Sequence, residues 1–145
     1  MTTPSTVPFL ASLAQHLASS GLARYSETGK YTNTGLPAVF FGQLPPTPDA
    51  AILINVYNQD NTRDDDSPDM YVQLRYRTPG SDPRTTENLA DSVFALLHDV
   101  SNTVWGTTRV LLCRRVIRGP IAPDATTPTR YTRPDSYRVT INPTL

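Results

Sequence analysis

A chain of 145 residues is about the size of one ordinary domain, and at that length roughly two thirds of the unfolded surface can be buried without disulfide or metal staples. Zero net charge removes the electrostatic signature of a general nucleic-acid or membrane binder, and the single cysteine, Cys113, excludes an intramolecular disulfide and a multi-cysteine zinc cage and fits a reducing cytoplasm. An apolar share of 38% combined with 14 prolines, about double average usage, predicts a modest core carrying long, stiffened loops.

Residues 1–8 lack a basic region followed by an apolar run, and no stretch approaches the roughly 18 apolar residues a membrane span needs. The expectation is a chain without a signal or a lipid anchor. Leu10, Leu13, Ala14 and Leu17 then fall at i, i+3, i+4 and i+7, which predicts a helix over about 8–22. Thr6 is available as its cap, Pro8 is tolerated in a first turn, and Gly21 lies where the helix stops.

After a polar stretch, residues 37–44 are rich in strand formers, and Pro45, Pro46 and Pro48 close that run. Ile52, Leu53, Ile54 and Val56 restart it, so the two segments read as an antiparallel hairpin. A polar loop over 58–69 follows with Asp60, Asp64, Asp65, Asp66 and Asp69. Met70, Val72, Leu74 and Tyr76 next alternate with Tyr71, Gln73, Arg75 and Arg77, the pattern of a strand with one buried face.

Asp82 and Pro83 form a helix start, and Leu89, Val93, Leu96, Leu97 and Val100 recur at helical spacing to about Ser101. Glu87, Asp91 and Asp99 fall on the exposed side of that helix. Residues 107–118 form a fourth strand around Cys113, with Trp105 just before it. A loop over 119–135, long for one domain and rich in proline, leads to a last strand in which Tyr137, Val139 and Ile141 alternate with Arg138 and Thr140. The expected architecture is α+β, sandwich-like, with two helices on one face of a mainly antiparallel five-stranded sheet, in the order α-β-β-β-α-β-β. Residues 1–145 are expected to be one domain with long loops at 58–69 and 119–135.

Sequence-local signatures of serine hydrolases, phosphate-binding loops and zinc proteases are absent. His16, His98 and Cys113 are scattered, and a transition-metal site needs three or four convergent ligands, so each reads as an ordinary structural residue. No catalytic, cofactor or metal residue is assigned. The acidic residues Asp64, Asp65 and Asp66 fit a solvated loop, an acidic interaction surface or a weak divalent-ion site; the turn glycine and distal glutamate of an EF-hand are missing. Arg109, Arg114, Arg115 and Arg118 form a basic cluster with no acid among residues 109–118. That cluster fits long side chains laid over an open sheet face, a protein neighbour, or nucleic acid, the last without aromatic interleaving. Opposite patches on one chain are the condition for head-to-tail contact between identical subunits.

The helix over 9–22, the Gly35-Leu36-Pro37-Ala38-Val39-Phe40 approach to a proline-rich turn, the Leu74-Arg75-Tyr76-Arg77 strand followed by Ser81-Asp82-Pro83, and the Gly119-Pro120 to Arg130-Tyr131 linker before Tyr137, Val139 and Ile141 form an ordered pattern. In that order, over about residues 8–142, the chain resembles the tail-terminator proteins of long-tailed bacteriophages, often described as minor tail or minor capsid proteins. The resemblance implies a small α/β subunit that forms a ring, typically hexameric, with neither cofactor nor reaction. Such a ring caps the tail tube, ends its polymerisation and docks to the head-tail connector. It further implies tail-tube and connector partners, DNA passing the ring lumen without specific binding, no membrane, and a place in the virion after assembly in the bacterial cytoplasm. By the same resemblance the loops at 58–69 and 119–135, with Arg130 and Tyr131 in the second, reach a neighbouring subunit or the tube. Another head-tail neck component, such as a head-closure or adaptor protein, stays open as an alternative, as does a small nucleic-acid-binding domain.

Overall fold

The computed structural model describes residues 5–142, and the strand with the cleanest two-residue alternation lies inside its sheet. In chain order the elements are α1 (Thr6–Ser19), β1 (Ala38–Phe41), β2 (Ala51–Asp60), β3 (Asp69–Thr78), α2 (Pro83–Leu97), β4 (Val100–Trp105), β5 (Thr108–Arg118), β6 (Ala122–Pro123) and β7 (Tyr131–Asn142). The class is α+β, with two helices and a seven-stranded mixed sheet ordered β1-β2-β3-β7-β5-β4, β6 pairing beside β7.

Both helices share one core with the inward row of β3. Phe9, Leu13 and Leu17 of α1 and Ala90, Val93 and Leu97 of α2 join Met70, Val72, Leu74 and Tyr76 in a single buried cluster. Since alternate residues of a strand face opposite sides, both helices lie against the same side of the sheet. α1 touches β2, β4 and β5, while α2 touches β3, β7 and β5. The start of α2 matches its sequence signals: the Asp82 side chain accepts from the Arg84 N–H at 2.9 Å, and Pro83 takes the first turn. α1 begins after Ser5 rather than Thr6 and ends at Ser19, where Gly21 adopts φ 78° and the Leu22 N–H closes onto the Leu17 carbonyl at 3.1 Å.

The sheet departs from the expected five strands in three respects, and β4 and β6 bring the number to seven. First, β1 and β2 pair parallel, with Ala38 opposite Ala51 and Phe41 opposite Ile54, instead of as an antiparallel hairpin. The proline-rich segment between them therefore carries the chain back along the full length of the strand. Second, α2 stops at Leu97, because His98 is extended and Asp99 has φ 63°. The freed residues form the edge strand β4, which makes a hairpin with β5 around Gly106 and contains Trp105. Its Ser101, Asn102 and Val104 are exposed, so no alternation marks it in the sequence. Third, β7 starts at Tyr131, not Tyr137, because its inward positions 133 and 135 hold Arg133 and Asp135, both fully buried. Charged residues at inward positions conceal the alternation by which a strand is read. The loops shorten accordingly, to residues 61–68 between β2 and β3, while β6 pairs with β7 inside the segment expected to be loop.

Gly119, just past the end of β5, lies directly against the backbone of β7. A Cβ at this position would lie 1.9 Å from the carbonyl oxygen of Pro134, and backbone cannot move aside as a side chain does. Gly119→Ala is expected to lower stability by at least about 2 kcal/mol, read as a shift of the urea midpoint with the slope unchanged.

Candidate interaction surfaces

The arginines of β5 turn out to be spent largely inside the chain. Arg115 lies 3.7 Å from the Asp135 carboxylate and stacks its guanidinium 3.9 Å over the Phe94 ring. Its backbone N–H donates to His98 Nδ1 at 3.0 Å, and His98 in turn stacks on Phe94 with centroids 4.4 Å apart. Arg118 pairs with Glu87 at 3.2 Å, and Arg114 pairs with Asp99. Arg109 is exposed and forms no ion pair among the described residues. The carboxylates Glu87, Asp91 and Asp99 thus do not simply face water. They take up the charge of the neighbouring strands.

Beneath them sits a pair that sequence reading missed. Arg133 clasps Asp135 with two parallel bonds, Nε to Oδ1 and Nη2 to Oδ2, each 3.0 Å, with both side chains fully buried. Its Nη1 donates to Glu87 at 3.0 Å and to Asp91 at 3.2 Å, and the Gly119 N–H donates to Asp135 at 3.2 Å. Each nitrogen and oxygen of the pair thereby has at least one partner, the condition under which a buried ion pair is tolerated. The hydroxyls of Tyr76 and Tyr137 lie buried nearby without a hydrogen-bond partner among the described residues, and burial pushes both phenols up.

Arg130 also works within the chain. Its side chain bonds Asp124 at 2.5 Å, Asp49 at 2.7 Å and the Pro46 carbonyl at 2.8 Å. Arg77 completes the clamp by donating to the carbonyls of Pro45 at 2.8 Å, Pro48 at 2.7 Å and Asp49 at 2.9 Å. Proline has no N–H, so a segment so rich in it cannot build its own ladder, and the two guanidinium groups satisfy its carbonyls instead. Tyr131 is half-buried at the start of β7, opposite Thr78 and Pro123.

The acidic residues remain outside. In the turn between β2 and β3 the Asp64 carboxylate accepts from the Asp66 N–H at 2.9 Å, while Arg63 folds back onto the Ser67 carbonyl at 2.7 Å. Asp64, Asp65 and Asp66 are all exposed, and none forms an ion pair among the described residues. Among the described residues no group of three or more His, Cys, Asp or Glu is placed to hold a metal ion. His16 stacks on Trp105 at 5.0 Å, with burial lowering its pKa, and Cys113 is buried with its thiol pushed up to about 12.

The side of the sheet away from the helices carries no covering element among the described residues. Its register runs Leu53, Arg75, Pro134, then Asn55, Gln73, Ser136, Ile117, then Tyr71, Arg138, Arg114, then Asp69, Thr140, Leu112. Tyr57 and Ile117 are 53% and 59% exposed, and Tyr57 lies against Tyr71 with centroids 6.1 Å apart. One depression of about 350 Å³ is bounded by Asn55, Tyr57, Gln73, Ile117 and Ser136, and another of about 370 Å³ by Arg63, Asp69, Leu111, Leu112, Arg138 and Thr140. Arg75 and Arg138 are half-buried on this face and form no ion pair among the described residues. The outward members of the β3 alternation named part of this surface in the sequence; only the register shows which residues of β2, β5 and β7 adjoin them.

The sequence profile described as Bacteriophage tail terminator protein matches residues 16–141. A solved chain from the virion of a native gene transfer agent particle aligns at 14% identity and a TM-score of 0.49, over 71% of this chain and 77% of that one. No curated protein sequence matches. No helix among the described residues is long and apolar enough to cross a membrane.

Arg133→Met leaves Asp135 buried and without its main counter-charge, so a stability loss of about 3–5 kcal/mol is expected in chemical denaturation. Arg133→Met combined with Asp135→Leu removes both charges and should recover part of that loss. Partial burial pushes the Asp124 carboxyl upward, but its bonds from Arg130 and Thr126 outweigh this and hold it below the usual carboxylate range. A depressed carboxyl contributes stability that is present above its unfolded pKa and lost as pH falls through the folded one. The melting temperature should therefore drop on acidification below about pH 4, and Asp124→Asn should make that drop shallower.

Proposed function

Since the chain belongs to the bacteriophage tail terminator protein family, and so is a structural protein of phage tails, we propose that it forms a ring on the end of the finished tail tube. That ring stops tube polymerisation and presents the surface to which the head docks. The family match across residues 16–141 carries this reading. Residues 1–145 act as one domain, the ring is a homo-oligomer of about six copies, and its other partners are the tail-tube protein and the head-tail connector. DNA passes through the lumen without specific binding. The protein catalyses no reaction and resides in the tail or neck of the virion after assembly in the bacterial cytoplasm.

Geometry supports the reading in two ways. An uncovered sheet face with half-buried arginines and exposed Tyr57 and Ile117 is a surface suited to a protein neighbour. The turn bearing Asp64, Asp65 and Asp66, together with Arg109, keeps charge that the chain does not neutralise itself. Arg114, Arg115, Arg118 and Arg130 have partners within the chain, so any part they take in a subunit contact is shared with those partners. A ring contact of this kind should bury at least about 1,000 Å² per interface.

Particles assembled without this protein should carry overlong tails that fail to join heads, and adding the purified protein before the tube overgrows should restore joined particles in electron micrographs. Tails of normal length beside DNA-leaking heads would instead assign the chain to head closure and overturn the terminator reading.

A further inference from the structure

We infer that the uncovered sheet face is the seat for the acidic β2–β3 turn of a second copy of this chain. The inference rests on the self-assembly proposed above and names the two surfaces that meet. Its basis is where charge is left over once the internal pairs have formed. Arg114, Arg115, Arg118, Arg130 and Arg133 are each paired inside the chain. Arg75 and Arg138 form no ion pair among the described residues, and both rise from the face away from the helices. On the acidic side Glu87, Asp91, Asp99, Asp124 and Asp135 are paired, while Asp64, Asp65 and Asp66 are exposed together on one turn.

Within one copy no ion pair joins these two sets among the described residues. Arg138, opposite Tyr71, lies near the end of the turn, whereas Arg75 lies six residues along β3 from Asp69, which is about 20 Å of extended strand. The turn is also fixed locally: the Asp64 carboxylate holds the Asp66 N–H, and Arg63 is tied back to Ser67 and Asp69. Its residues Asp64, Asp65 and Asp66 are all exposed. A turn docking from another copy meets Arg75 and Arg138 on a floor of Tyr57, Tyr71, Gln73 and Ile117. There the partial burial of the arginines raises the value of each pair above that of a solvated surface bridge. Turn and face are different surfaces of the same molecule, so the contact is heterologous and propagates until it closes.

The test uses the full chain and two measurements. Cys113 is buried, so thiols added at the surface can be read against a low background. Asp65→Cys and Gln73→Cys proteins, mixed and mildly oxidised, should form a covalent dimer that neither forms alone. In sedimentation, Arg75→Glu with Arg138→Glu should weaken self-association at least about tenfold, as should Asp64→Lys with Asp65→Lys and Asp66→Lys, and mixing the two charge-reversed proteins should restore it. Arg75→Gln with Arg138→Gln, a milder change, should fall between the unaltered chain and the Arg75→Glu, Arg138→Glu protein, with an unaltered melting curve. If both charge-reversed proteins assemble like the unaltered chain and the mixed thiols stay free, the inference is wrong, while the tail-terminator reading stands on the particle phenotype. If the unaltered chain instead binds single-stranded oligonucleotide, and Arg75→Glu with Arg138→Glu abolishes that binding without changing sedimentation, the face belongs to nucleic acid. That result overturns the inference as well, as does a strictly monomeric chain that also fails to bind tube ends.

Discussion

The Arg133–Asp135 pair is the constraint around which the rest of the molecule is arranged. Two opposite charges placed at inward positions of β7 would destabilise any core that left one donor or lone pair unmatched. Matching them draws Glu87 and Asp91 of α2, the backbone N–H of Gly119 and the guanidinium of Arg115 to the same spot. The helix is thus positioned over the sheet by charge at its N-terminal half and by Val93 and Leu97 further along. Gly119 is obliged to be bare of a side chain because the backbone of β7 passes directly against it.

That arrangement has a consequence for the exterior. Of the arginines that would otherwise make β5 a strongly basic strand, Arg115 meets Asp135 of β7, Arg118 meets Glu87 of α2 and Arg114 meets Asp99 just past α2, so much of the strand's charge is neutralised within the chain. The charge left without an ion pair among the described residues includes Arg75 and Arg138 on the uncovered sheet face and the carboxylates of the β2–β3 turn. A zero net charge here is the sum of a balanced interior network and two unbalanced patches, which is a different object from a uniformly neutral surface. For a protein of the tail terminator family, such a pair of patches suits assembly with copies of itself better than capture of nucleic acid along its length.

A second network shows how proline is accommodated beside a parallel strand pair. The segment between β1 and β2 lacks the N–H groups of Pro45, Pro46 and Pro48, and Arg77 and Arg130 reach its carbonyls from β3 and from just before β7. Residues far apart in the chain thereby fix a connection whose own backbone cannot fix itself. The stretch before β7, which composition alone presents as a long loose loop, is held by the same Arg130 through Asp124.

The sequence by itself determined both helices and the strand read over Met70 to Arg77, because periodicity and capping are local and survive without knowledge of partners; the tail-terminator resemblance rested instead on the order and spacing of its segments. Only the tertiary structure decided the direction of β1 against β2, the existence of β4 and the early start of β7. Strand direction is set by a long connection, an exposed edge strand carries no alternation, and charges buried as a pair look like surface residues until the pair is seen. For the same reason Arg109, Arg114, Arg115 and Arg118 read as one patch in the chain, while in the fold all but Arg109 already have a carboxylate. Arg75 and Arg138, unremarkable in sequence, are half-buried on the uncovered face without an ion pair among the described residues, because a residue's free charge depends on which neighbours folding brings within reach.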